Sequence, residues 1–214
     1  MTADEVAQFF RTHPQFFDQH PELLESIFVP HPYGGRAIPL SERQILALRD
    51  KVKLLEGKLG ELVQFGEEND AIGEKVHRLC AALLGTRDFA AARHALYFHL
   101  REDFAVPHIA LRLWGKSLPE GAPEGAPVSE ELCARIETLG APQCGPAAAS
   151  PFLPWFGDAQ DHLRSLALVP LGQTTRFGLL ALGSEDVQRF YPEMGTLYLR
   201  RIGELVAAAL AARL

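Results

Sequence analysis

The chain has 214 residues, 47% of them hydrophobic, which is enough apolar side chain to build a core of ordinary size. Its net charge of −6 and the absence of a basic block argue against a dedicated nucleic-acid-binding protein, because such proteins neutralise phosphates with clustered Lys and Arg. No apolar run approaches the ~20 residues that span a bilayer. Three widely spaced cysteines without a CxxC pair favour a reducing compartment, so we expect a cytoplasmic protein without membrane or direct nucleic-acid partners.

Residues 1–40 predict a cap of short helices and a connector. The stretch HPQFFDQHPELLESIFVPHPYGGRAIPLSERQ at 13–44 contains three His-Pro pairs. Pro14 and Pro21 can each occupy the first position of a helix, where the missing proline N–H costs nothing. The third pair lies in VPHPYGGRAIP, whose prolines and glycines predict an extended connector. We expect the Phe and Leu doublets of the cap to pack on the helix that follows, either in the same chain or in a partner.

Residues 41–84 predict one long helix with a coiled-coil seam. SERQ at 41–44 matches a capping box, with Ser41 as the N-cap. Apolar residues then recur at alternating spacings of three and four, as at the a and d positions of a coiled coil. They are Ile45, Leu48, Val52, Leu55, Leu59 and Leu62. We interpret this stripe as the interface of a homodimer, the alternative being a helix packed against its own domain. Gly66 and Gly73 predict a looser seam beyond it.

Residues 85–214 predict a small α+β domain. Asp88 can cap a helix that ends near Phe104, and PHIALRLWG at 107–115 alternates as a strand should. KSLPEGAPEGAP predicts a loop, and a short helix follows from Ser129 to Leu139. SLALVPLG and RFGLLALGS, joined by QTT, predict an antiparallel hairpin, and a last helix is predicted from Pro192 to Leu214. This order predicts an antiparallel sheet with helices on one face and irregular loops on the other.

The chain resembles a bacterial family known as domain of unknown function 484, whose C-terminal part is GAF-like. The resemblance rests on the 13–44 stretch, PQCGP at 142–146, SLALVPLG at 165–172, LLALGSED at 179–186 and RFYPEMGTLYLRRIGELV at 189–206. Pro39 departs from the small polar residue that the family pattern leads us to expect there. The resemblance implies a GAF-like fold with a possible ligand cavity, and it implies no established activity.

GAF domains commonly bind small molecules between the sheet and its covering loops, which directs attention to two groups of residues. Arg112 and Trp114 share a strand face opposite an aliphatic row, and a guanidinium beside an indole can hold an anionic or planar ligand. The alternative is a solvent-exposed or loop-covered face with Arg112 paired to a carboxylate. Phe152, Trp155 and Phe156 in FLPWFGD could form a lid over such a cavity, or simply plug the end of the sheet.

Cys144 in PQCGP is the residue on which a redox alternative depends. Its Pro- and Gly-rich surroundings could expose the thiol, which would need an electropositive neighbour to become reactive. Some GAF relatives use cysteines to reduce free methionine sulfoxide, and Cys133 is the plausible resolving partner. A structural thiol is the simpler reading.

No standard catalytic or metal-binding motif accompanies these residues. The chain lacks GxSxG, HExxH, a Gly-rich phosphate loop and the NKFDE set by which some GAF domains hold cyclic nucleotides. His13, His20 and His31 lack acidic or thiol ligands at suitable spacing, so helix boundaries explain them better than a metal. We therefore predict a non-enzymatic sensory or scaffolding homodimer with a possible but unidentified small-molecule ligand and no identified cofactor. The alternatives are the redox enzyme and an interaction module without ligand.

Overall fold

The computed structural model describes residues 2–115, 118–119, 121–173 and 175–214. Parts of the predicted loop, at 116, 117 and 120, and Thr174 of the predicted hairpin turn lie outside the described residues. The helices are α1 (Ala3–Thr12), α2 (Phe16–Gln19), α3 (Glu22–Ser26), α4 (Leu40–Leu84), α5 (Phe89–Glu102), α6 (Glu130–Glu137) and α7 (Leu197–Ala211). The strands are β1 (Phe28–Val29), β2 (Ile38–Pro39), β3 (His108–Leu113), β4 (Gln143–Pro146), β5 (Ser165–Leu171) and β6 (Gly178–Ser184), and 3₁₀ helices span Pro123–Gly125 and Leu153–Asp161.

The chain divides into two compact units, residues 1–67 and residues 68–214, and helix α4 contributes to both. The three segments predicted from the sequence, 1–40, 41–84 and 85–214, stay a prediction. Helix α4 ends at Leu84 as predicted, but it begins at Leu40, so Ser41 lies inside the helix and not at its N-cap.

The first unit opens with a capped helix and a cluster of aromatic rings. The Thr2 hydroxyl accepts from the Glu5 N–H, and the Glu5 carboxylate accepts in return from the Thr2 N–H. Helix α2 begins at Phe16, two residues beyond the predicted start at Pro14. The ring of Phe10 lies 5.3 Å from that of Phe16 and 5.1 Å from that of Phe17. The α1–α2 cap therefore packs largely on itself.

The connector forms a two-stranded hairpin that bonds to helix α4 of its own chain. Strands β1 and β2 pair antiparallel, where the sequence predicted only extended chain. The Leu40 N–H donates to the Ile27 carbonyl at 3.0 Å, Arg43 donates to the Pro30 carbonyl and the Tyr33 hydroxyl donates to Asp50. These bonds hold the connector to α4 of its own chain, and the packing of the cap on its own or a partner helix stays a prediction.

The second unit is built on a four-stranded antiparallel sheet in the order β3-β6-β5-β4. The predicted hairpin is present as β5 and β6, with Ser165 opposite Ser184 and Leu171 opposite Gly178. Strand β4 was not predicted and pairs with β5. The expected α+β class with an antiparallel sheet is thus confirmed.

Both faces of this sheet are covered. On one face Leu111, Val169 and Leu180 pack with apolar residues of α5, α7 and the end of α4, including Leu96 and Val206. On the other face, a cluster of Ile136, Leu139, Phe152 and Leu179 lies under α6 and the 3₁₀ helix Leu153–Asp161. The sheet is therefore the middle layer of the second unit.

Helix α7 is held to the C-terminal part of α4 near both of its ends. The Tyr198 hydroxyl donates to the Asn69 carbonyl at 3.0 Å. Arg213 donates to the carbonyls of Leu83 and Thr86, each at 2.9 Å, and to that of Ala209. The Arg213 guanidinium thus satisfies C-terminal carbonyls of both helices, where a positive charge also opposes the negative end of each helix dipole.

The outer strand β4 directs few donors away from the sheet. The Ala147 N–H donates to the Arg164 carbonyl at 2.9 Å, and from this register Gln143 and Gly145 face β5. The backbone groups of residues 142, 144 and 146 then point outward. Residues 142 and 146 are prolines and have no N–H, so Cys144 carries the outward donor of this strand.

The opposite outer strand, β3, is covered by the segment that contains the 3₁₀ helix Pro123–Gly125. Glu124 in this segment is buried, with 3% of its surface exposed. Its carboxylate accepts from Arg93 at 3.3 Å and from the Tyr97 hydroxyl at 3.5 Å, both on α5. Burial, followed by the charge of Glu124, raises the pKa of Tyr97 to about 12.

No helix among the described residues is both long enough and apolar enough to cross a lipid bilayer.

We expect Gly203→Ala to destabilise the second unit. A Cβ at position 203 would lie 2.6 Å from Cγ1 of Val169, so α7 would have to move off strand β5. Overpacking of this kind costs about 1–3 kcal/mol, although alanine recovers some helix propensity. Urea unfolding followed by the fluorescence of Trp114 and Trp155 measures the change. Gly195→Ala, which meets no atom within 4 Å, is the control; equal stability of the two variants would contradict the close packing.

We expect the free energy of unfolding to fall as pH rises from about 10 to 12 through the deprotonation of Tyr97. The folded-state pKa of Tyr97 is about 12 and that of an unfolded tyrosine is about 10, so this contribution is complete below pH 10 and lost as pH approaches 12. Tyr97→Phe should make the decline shallower in urea unfolding at pH 9 to 11.5. The exposed Tyr191 provides the control Tyr191→Phe, and unchanged slopes in both variants would refute the assignment.

Candidate functional site

Arg112 on strand β3 lies on the sheet face that the strand alternation predicts. Its neighbours Leu111 and Leu113 belong to the core under α5 and α7, and Arg112 is directed to the opposite face. The guanidinium carbon lies 5.6 Å from the ring centroid of Trp155, and Nη1 donates to the Leu111 carbonyl at 3.0 Å. Among the described residues Arg112 forms no ion pair with a carboxylate. Its remaining donors are thus available to an anion.

Trp114 is placed beside this site but does not stack on Arg112. Its N–H donates to the Phe177 carbonyl at 2.8 Å, which extends the β3–β6 ladder past the end of the strand. The half-buried indole packs against the same cluster as Phe152. It also lines a surface cavity of about 480 Å³ with Glu137 and Arg176. The indole next to the guanidinium is thus that of Trp155, which the sequence assigned to the lid.

The three aromatic residues of FLPWFGD separate into two groups. Phe152 is 1% exposed, and its ring meets that of Trp155 edge to face with centroids 5.1 Å apart. Both belong to the cluster on the Arg112 face of the sheet. Phe156 packs instead with Leu163 and Leu166 in a second cluster. Phe152 therefore fills space over the sheet, and Trp155 is the member of the segment that contacts Arg112.

Cys144 lies on the other side of the sheet from Arg112. It pairs with Ala167 on β5 and packs with it against the core under the helices. Burial raises the pKa of the Cys144 thiol. Burial, and then the charges of Glu137 and Glu130, raises the pKa of Cys133. A raised pKa lowers the thiolate fraction, which is opposite to what a reactive cysteine needs. Because Cys144 and Arg112 lie on opposite faces of the sheet, they do not form one site.

Arg176 is a positively charged residue near the site that the sequence analysis missed. It precedes β6 and donates to the carbonyls of Gly172 and Leu139, the latter at 3.0 Å. It lines both the cavity beside Trp114 and a groove of about 540 Å³ against α7, in which Arg200 and Glu204 also lie. Its position depends on the hairpin turn and on the end of α6, which are distant in sequence.

The three histidines of the His-Pro pairs make local contacts. His13 stacks on Phe9 with ring centroids 4.5 Å apart, and His20 lies 4.9 Å from the ring of Phe16. The His31 Nδ1 accepts from the Tyr33 N–H at 3.2 Å. Within the described part of the chain, no group of three His, Cys, Asp or Glu residues is arranged to hold a metal ion.

The site therefore consists of a cation held over an aromatic ring, with a second indole and a second arginine nearby. A guanidinium with unpaired donors can bind a carboxylate or phosphate, and the indole edges can contact a planar group. No described residue at this site is arranged as a nucleophile with an adjacent base.

Comparison with solved structures identifies a GAF-like fold in this chain. The chain is similar to the A. aeolicus nlh2 GAF domain, described as a crystal structure in an inactive state, with a TM-score of 0.50 and 15% identity. The match covers 68% of this chain and 99% of that one. The expectation of a GAF-like fold is thereby confirmed, and at this identity the likeness concerns the fold alone.

Sequence comparison identifies the family. The chain is 25% identical over 206 residues to the uncharacterized protein YigA of Salmonella typhimurium, covering 92% of this chain and 86% of the relative. The YigA protein of Escherichia coli K12 is also 25% identical, over 205 residues, with the same coverage. The family model described as "Protein of unknown function, DUF484" matches residues 1–213, and the chain therefore belongs to the DUF484 family, as the sequence resemblance predicts.

Proposed function

We propose that this protein is a non-enzymatic sensory or scaffolding protein whose GAF-like domain binds a small anionic, planar ligand and is joined to a dimerising helix. The GAF-like fold supports the sensory half of this proposal. The exposed apolar stripe of helix α4 supports the dimer, and it is the observation that carries the proposal.

The six seam residues of α4 are between 49% and 66% exposed in the single chain: Ile45, Leu48, Val52, Leu55, Leu59 and Leu62. No residue in the described part of the first unit, 2–67, is fully buried. A continuous apolar stripe of this kind is typical of a protein interface and is unfavourable in water. A second copy of the chain offers the same stripe and would cover it.

The contacts of the connector leave this stripe open. Arg43 and Asp50, which the connector contacts, occupy f positions of the heptads that place Ile45 and Val52 at a. Positions f lie on the outer face of a coiled coil, away from the seam. The chain's own connector therefore supports the helix from outside, and the seam remains available to a partner.

Arg112 and Trp155 support the ligand half of the proposal. Free guanidinium donors over a half-buried ring suit a small carboxylate with a planar body. The complete burial of Phe152 favours a second candidate, an interaction module in which this face of the sheet is filled by protein. The raised pKa values of Cys144 and Cys133 lend no support to the methionine sulfoxide reductase alternative.

We expect the double variant Leu55→Asp, Leu59→Asp to be monomeric. Each Asp would place a carboxylate in an apolar seam, which costs several kcal/mol and raises the dimer Kd more than about 100-fold. Light scattering coupled to gel filtration should give twice the chain mass of 23.6 kDa for the parent and the single mass for the variant. Gly57→Asp, Gly60→Asp adds the same two negative charges on the outer face, where a Cβ at either position meets no atom within 4 Å, and this variant should stay dimeric. A monomeric parent would overturn the proposal.

We expect Arg112→Ala to weaken the binding of a small aromatic carboxylate. Benzoate is a suitable probe, and its binding to the parent should change the fluorescence of Trp155. Loss of a charged hydrogen bond, worth about 1.5–3 kcal/mol, predicts a roughly tenfold or greater rise in Kd. Arg135→Ala, on exposed α6, should bind as the parent does, and circular dichroism checks the fold. Equal responses of all three proteins would reject this ligand site, and no response in any would favour the interaction module.

A further inference from the structure

We infer that the α4 helices of two copies form a parallel, in-register, two-stranded coiled coil over residues 45–62. The inference rests on the proposed dimer and adds its orientation and strand number. Three features support it: the residue types in the seam, the charges at its rim and the position of the connector.

The seam residues follow the composition of parallel two-stranded coils. Ile45 and Val52 occupy successive a positions and are β-branched, whereas Leu48, Leu55 and Leu62 occupy d positions. β-branched residues at a and Leu at d favour two parallel strands, because the packing angle differs at the two positions. Leu59 is the single a position of this seam without a β-branched residue, so most of its layers favour the same arrangement.

The rim charges distinguish the two possible orientations. In a parallel in-register pair, Lys51 at g faces Glu56 at e of the second copy, and symmetry repeats this attraction. In an antiparallel pair that matches the same a and d layers, Lys51 faces Lys58 of the second copy and Arg49 faces Glu56. The antiparallel arrangement thus adds repulsion to attraction, whereas the parallel one brings no like charges together.

A further parallel rim pair brings the aliphatic stem of a lysine against an exposed apolar residue. Lys58 at g faces Val63 at e of the second copy, and Val63 is 54% exposed in the single chain. The methylene groups of a lysine can cover such a side chain while the ammonium group stays in water. Lys58 already bonds to Glu61 on its own helix at 2.7 Å, which places the charge on the outer side.

The connector is compatible with a close partner helix. The connector bonds to Arg43 and Asp50 at f positions, and no described residue of the chain buries the seam between Ile45 and Leu62. The second copy can therefore approach along the full stripe without displacing the chain's own contacts. Because the seam and rim residues of α4 are complementary to those of an identical helix, a second copy of the chain fits this stripe better than an unrelated partner does.

Cysteine cross-linking of the full chain tests the orientation. The parent for this experiment carries Cys80→Ala, Cys133→Ala and Cys144→Ala, and single cysteines are introduced as Leu48→Cys or Leu62→Cys near the ends of the seam. Facing d positions in a parallel pair bring the two thiols together, so mild oxidation should cross-link each variant to itself. In the antiparallel pair two copies of residue 48 would be about 16 Å apart along the axis, too far for a disulfide.

The outcomes separate this inference from the proposed dimer. Self-cross-linking of both variants in more than half of the chains, with none for Lys53→Cys on the outer face, would support the parallel coil. Cross-linking that requires a mixture of Leu48→Cys and Leu59→Cys chains would overturn it while leaving the dimer intact. Light scattering of the cysteine-free parent checks that the dimer is present; a single chain mass would remove the proposed dimer itself, and a tetramer would overturn the two-stranded coil.

Discussion

Burial of strands β5 and β6 on both faces is the constraint on which the second unit depends. Every residue of β6 is buried, so apolar side chains must cover the sheet from two sides. Helices α5 and α7 and the end of α4 cover one side. The other side is covered by α6 and an aromatic 3₁₀ segment, and the buried ring of Phe152 is part of this packing. The cavity beside this cluster is lined by Trp114, Glu137 and Arg176, and Arg112 contacts Trp155 at the edge of the same cluster.

Helix α4 belongs to both units and has a different character in each. Its C-terminal part is packed in the GAF-like domain through Leu79 and Leu83, and α7 holds it there through Tyr198 and Arg213. Its N-terminal part exposes an apolar stripe, and the connector bonds to its outer face. In the proposed dimer, a conformational change in the second unit would thus reach the seam through one continuous helix. The bonds of Tyr198 and Arg213 to α4 would resist sliding of α7 along α4.

Local patterns allowed much of this fold to be predicted, and long-range pairing accounts for what was missed. The heptads of α4 and the alternation of β3 are visible within a few residues, and both define a face without reference to the rest of the chain. Strand β4 has no such pattern, because it is a strand only through its register with β5. That register also decides which side Cys144 faces. Likewise, the alternation of β3 predicted which face of the sheet Arg112 occupies. It could not show that the aromatic contact of Arg112 is Trp155 and not Trp114.

The prolines at the outer edge of β4 have a consequence for how copies of this protein can meet. A strand from another molecule adds to a sheet by repeating a ladder of donors and acceptors, and β4 offers the Cys144 N–H between two positions without a donor. The missing donors therefore disfavour the addition of another strand along this edge. In a crowded solution, contacts between copies at the edge of β4 would therefore rely on side chains more than on backbone hydrogen bonds.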